Sequence, residues 1–115
     1  MANVLSTTRH KNVKLDLTST SVTTLYTCPA LMTTFVSSIL VSEDSGNADT
    51  ITLTITRDNV SGDPVFSVFK DKAVTAKNTL ELLTQPLVLQ EGDEVKATAG
   101  TANRLHVLLS VLEIT

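Results

Sequence analysis

The chain has 115 residues, a formal charge of −3 and a pI near 5.2. With 42% hydrophobic and 18% charged residues it is not a disordered tail, and its length suits one domain whose apolar core needs no disulfide or metal. Aromatics make up only 3%, with no tryptophan, so the core must come from Leu, Val, Ile and Ala, and stacking platforms are scarce.

The acidic balance argues against a nucleic-acid partner, which needs a basic patch. The nearest approach to one is Arg9, His10, Lys11 and Lys14, which reads as a solvated segment or a contact arm for an acidic protein surface. The start, MANVLSTTRHKN, lacks the apolar stretch of a secretory signal. No apolar run approaches the ~20 residues of a membrane-spanning helix. Synthesis in a cytoplasm and no membrane partner are therefore expected, and the sequon Asn59-Val60-Ser61 carries no meaning off a secretory route. The single cysteine, Cys28, reads as a small buried hydrophobe.

Taken in chain order, residues 1–12 have weak periodicity and are expected as an N-terminal arm, with the domain over 13–115. Val13 to Leu17 alternates as a strand does. Val22 to Thr27 follows and stops before Pro29, which has no place inside a central strand. Met32 to Ser42 predicts a long strand, with Phe35 on the same face as Ile39 and Val41 and so in the core. DTITLTITRD, Asp49 to Asp58, gives the clearest signal: Ile51, Leu53 and Ile55 alternate with four threonines, one apolar and one hydroxyl face. Val65 to Lys70 is short, and its Phe66 and Phe69 have opposite parity, so one of them faces out. Thr79 to Leu83, Leu87 to Leu89, Glu94 to Ala99 and Arg104 to Ile114 complete the series.

SEDSGNAD, DNVSGDP, QEGDE and TAGTAN punctuate these runs with turn residues. The fold expected is all-β: a single-domain antiparallel β-sandwich or jelly roll of about eight strands. The last strand is apolar on both sides, with Leu105, Val107, Leu109 and Val111 on one face and Leu108, Leu112 and Ile114 on the other. One face of a sandwich strand should meet water. The second apolar face therefore calls for a covering segment of the same chain or for another subunit.

No constellation of catalytic residues stands out. Glu91, Asp93 and Glu94 surround Gly92 between two strand-like runs, the composition of a hairpin, with the carboxylates expected in water. Asp44, Asn47 and Asp49 could offer oxygens to calcium, but an EF-hand-type loop starting at Asp44 needs a glutamate where Ile55 stands. His10 and His106 have no metal-ligand spacing, and neither a nucleophile elbow nor a glycine-rich phosphate loop occurs. The chain is expected to be no enzyme and to hold no cofactor or metal.

Three segments, TLYTCPALMTTFVSSILVSEDSG, NTLELLTQPLVLQEGDEVKATAG and RLHVLLSVLEIT, together resemble a group of small virion proteins of tailed bacteriophages. The likeness covers roughly residues 20–115, with Cys28 and Leu31 departing from its pattern around Pro29. The resemblance implies a non-enzymatic structural role in the virion: a capsid decoration or cement protein, with a neck, tail or tail-fibre component, including a receptor- or glycan-binding module, as the alternative. The partners implied are the major capsid protein or neck and tail proteins, together with further copies of the chain, a trimer being the expected homo-oligomer. Leu108, Leu112 and Ile114 are then the interface candidates, and Arg9, Lys11 and Lys14 the candidates for contact with the shell.

Overall fold

A computed structural model of the chain describes residues 8–57 and 64–115. Among them are nine strands and no helix: β1 (Thr8–Leu17), β2 (Thr23–Thr27), β3 (Thr33–Glu43), β4 (Asp49–Arg57), β5 (Val65–Val74), β6 (Thr79–Glu81), β7 (Leu87–Leu89), β8 (Asp93–Ala99) and β9 (Leu105–Ile114). They form two antiparallel sheets. One has the order β1-β9-β3-β6, with β7 also on β3; the other has β2-β8-β4-β5. The chain alternates between the sheets from β1 to β4, and β7 and β6 line successive halves of one edge of β3. The nine strands thus fill the positions of an eight-stranded jelly roll.

Period-two alternation builds the core. Ile51 and Leu53 of β4, Val95 and Ala97 of β8, and Leu105, Val107, Leu109 and Val111 of β9 are buried together, with Leu17, Ile39, Val41 and Leu89. The strand edges depart from expectation in two places. Residues 8–12 belong to β1 and pair continuously with β9, ahead of the expected strand start at Val13. Met1 to Thr7, and the sequon at Asn59, lie outside the described residues. Second, β5 runs past Lys70 to Val74 by way of Asp71, whose φ of 51° lets the strand bulge and resume.

Phe35 is also displaced from its expected position. The register of β3 against β9 shifts between Val36 and Ser38, leaving Ser37 as an extra residue whose hydroxyl donates to the Ser110 carbonyl at 3.1 Å. One inserted residue reverses the parity of everything before it. Thr34 and Val36 therefore point inward together with Ile39 and Val41, and Phe35 points out.

Gly100 closes the β8 end by close approach. A Cβ there would lie 2.5 Å from Thr50 Oγ1 and 2.7 Å from Asp49 Oδ1. The neighbouring backbone is pinned as well: Gly100 N–H donates to the Thr50 carbonyl at 2.9 Å, and Thr101 N–H to Asp49 Oδ2 at 3.1 Å. Gly100→Ala is expected to cost about 2 kcal/mol, the usual scale of overpacking, seen as a lower urea midpoint.

Candidate assembly surface

Residues directly opposite in an antiparallel pair share a face, so the registers give the outer surface of the first sheet row by row. One row runs His10, Leu112, Phe35, Val88 across β1, β9, β3 and β7; the next apolar row runs Lys14, Leu108, Leu40, Glu81 across β1, β9, β3 and β6. Between them lies the polar row Asn12, Ser110, Ser38. Thr8, Ile114 and Thr33 form the rim at one end, and Asp16, His106 and Ser42 at the other.

Three apolar side chains stand well out of this face: Phe35 and Leu108 are each 38% exposed and Val88 58%. A concavity of about 470 Å³ lies between His10, Phe35, Ser37, Pro86, Val88 and Leu112. Leu108, Leu112 and Ile114 thus share the solvent side of β9, as expected. Phe35, Pro86, Val88 and Leu40 join them, and sequence reading missed them. The bulge at Ser37 hides Phe35, Leu40 is simply the neighbour of inward Ile39 and Val41, and Val88, between inward Leu87 and Leu89, gives only an alternation over three residues.

The basic residues do not form one patch. Because β1 is a strand, its side chains alternate. Lys14 lies opposite Leu108 on the outer face, whereas Arg9 and Lys11 lie on the other side, opposite Glu113 and Val111. Arg9 Nη2 donates to Glu113 Oε1 at 3.1 Å. Glu113, only 1% exposed, also accepts from the Tyr26 hydroxyl, which lies 2.9 Å from Thr34 Oγ1, itself 3.2 Å from Cys28 Sγ. This chain of contacts ties β1, β9, β2 and β3 together across both sheets. The Tyr26 hydrogen bond holds the Glu113 carboxyl below its usual range, against burial, with help from Arg9. Burial pushes the Cys28 thiol up, away from the reactive thiolate.

The acidic hairpin is a turn, with Gly92 at φ 83° and Asp93 N–H donating to the Gln90 carbonyl at 3.0 Å. Its carboxylates are not all in water. Asp93 is buried, accepts from Gln90 N–H at 3.0 Å and sits 3.6 Å from Arg57 Nε, and Glu91 accepts from Leu31 N–H at 2.7 Å. These bonds close the turn against the β2–β3 loop, where Leu31 adopts φ 62°.

Glu43 plays the same part at the other end. Its buried carboxylate accepts from the backbone N–H groups of Ser45 (2.9 Å), Gly46 (3.0 Å) and Lys77 (3.1 Å), and from the Ser45 hydroxyl. Burial alone would raise its pKa. The Ser45 hydroxyl and the three N–H groups outweigh burial and bring it to about 2, from 4.5. A carboxylate depressed in the folded state contributes stability above its unfolded pKa and loses it as pH falls through the folded one. Thermal unfolding should therefore show Tm falling between pH ~4.5 and ~2, with a shallower fall in Glu43→Gln.

The second sheet presents a different outer face, lined by Thr52, Thr54, Thr56, Thr98 and Lys96. Among the described residues no group of three or more His, Cys, Asp or Glu side chains is placed to hold a metal ion. His106 lies 3.5 Å from Asp16 and 3.7 Å from Asp44 at the rim. Of the two phenylalanines of opposite parity, Phe66 is exposed and Phe69 packs on the core.

No protein-family model and no curated protein matches the chain. A solved structure does: that of Bacillus endospore appendages, described as forming a novel family of disulfide-linked pili. It superposes with a TM-score of 0.58 at 14% identity, over 100% of this chain and 94% of that one. The two chains share a fold.

Proposed function

We propose that the chain is a non-enzymatic structural subunit of a virion, a capsid decoration protein that strengthens the shell by burying the outer face of its first sheet against neighbouring copies. The observation that carries this reading is the pair of apolar rows, Leu112-Phe35-Val88 and Leu108-Leu40, on a face that a lone sandwich would keep polar. The resemblance to phage virion proteins supplies the setting, and the shared fold with an appendage protein agrees with a role in assembly. A subunit that binds only the assembled shell stabilises it by mass action, and many weak contacts on one particle add to a strong one.

The disulfide linkage named for the appendages does not carry over. This chain has a single cysteine, and one thiol can join at most two copies. Cys28 is moreover buried beside Thr34. Assembly on this reading is non-covalent.

The neck, tail and fibre reading is favoured by one feature, exposed Phe66 beside Val65 on β5. Immunogold labelling of purified particles separates the two. Label over the capsid supports decoration, label confined to the tail transfers the role there, and particles without label overturn the virion role altogether.

A further inference from the structure

Each sheet has two edges, and three of the four are poor templates for a further strand. β6 and β7 are three residues each; β2 has five residues and a register shift between Thr24 and Tyr26; β5 is long but its register against β4 shifts twice. β1 is different. It has ten residues, holds an unbroken register with β9, and among the described residues no strand lies on its other side. Long straight edges are normally shortened, bulged or covered. Of these protections β1 has only charged side chains, Arg9, Lys11, Lys14 and Asp16, with His10 beside them.

Those charges select a partner. Consider β1 paired antiparallel with β1 of a second copy about a two-fold axis normal to the sheet. Opposite residues then share a face, and the axis passes through one residue. Centred on Lys11 or on Lys14, the pair sets that lysine against itself. Centred on Asn12, it sets His10 against Lys14 twice. Centred on Leu15, it faces Lys14 with Asp16 but pairs only residues 13–17. Centred on Val13, it pairs residues 9–17 with no like charges opposite: His10 faces Asp16 at both ends, Lys14 faces Asn12, Arg9 faces Leu17, Lys11 faces Leu15, and Val13 meets Val13.

We infer that β1 is a self-pairing edge, centred on Val13, that joins two copies into one continuous sheet of ten strands, five from each. The basic residues then act as register selectors: they forbid most pairings with a second β1 and leave one. The contact is isologous and closes on two copies, in place of the expected trimer. Combined with a separate contact through the outer face, it lets copies extend into an array. It uses the strand edge and does not depend on the outer-face contact.

The test is a charge exchange on the full chain, read by sedimentation equilibrium with circular dichroism to verify folding. The unaltered chain is expected to dimerise. Asp16→Lys, which sets lysine against His10 at both ends, should weaken the dimer at least tenfold. Adding His10→Asp to Asp16→Lys restores opposite charges at both positions and should recover most of the affinity, which loss of the intrachain Asp16–His106 contact cannot explain. Leu108→Ser with Leu112→Ser should leave this dimer intact, which separates the β1 contact from the outer face. A chain that stays monomeric, a dimer indifferent to Asp16→Lys, or a folded double variant as weak as the single one overturns the inference.

Discussion

Leu109→Ala is expected to lower the unfolding free energy by about 3 kcal/mol, the scale of a fully buried leucine truncated in a core that cannot collapse around the gap. Leu109 sits at the middle of β9 with no exposed surface, between Val13 of β1 and Ile39 of β3 in the sheet. Both flanking strands are fixed by ladders along most of their length, so little relaxation is available. In a domain of this size such a loss corresponds to a fall in Tm of more than ~10 °C. Calorimetry on the isolated chain measures it directly.

The opposite behaviour is expected one residue away. Leu108→Ser combined with Leu112→Ser should cost the isolated chain only about 1 kcal/mol per leucine, because Leu108 is 38% exposed and Leu112 is partly exposed. The same pair should weaken association through the outer face at least ~10-fold, since truncating central apolar contacts is where interfaces lose most. Particle binding and light scattering read this effect, and unfolding reads the first. The contrast follows from strand parity alone: Leu109 and Leu108 are neighbours in sequence and lie on opposite faces of one sheet.

That parity is legible in the sequence. The alternation in β4 and the two-sided apolar pattern of β9 gave the sandwich and its surplus face. Two kinds of information were not local. The bulge at Ser37 is a property of how β3 meets β9, and nothing in TTFVSSILV marks which serine is the extra one. Plain alternation therefore places Phe35 in the core and hides half of the outer apolar row. The pairing of Arg9 with Glu113 likewise spans 104 positions. It needs β1 to be a strand in register with β9, and the weak periodicity of residues 8–12 does not mark that part of the strand. The basic cluster, contiguous in sequence, divides between two faces once the strand forms. Gly92 and Asp93 read as a turn from the sequence, but the ion-pair partner of buried Asp93 is Arg57, on a different strand.

Hydroxyl-radical footprinting of the assembled chain tests the central claim most directly. Oxidation of Phe35 and Leu112 is compared between the assembled chain and a Leu108→Ser variant diluted until its outer-face contact is lost, with exposed Phe66 as the internal reference. Burial of the outer face between copies predicts that Phe35 and Leu112 are strongly protected on assembly while Phe66 keeps its rate. Equal labelling of Phe35 in the assembled and dissociated forms would contradict the assignment of this face to assembly.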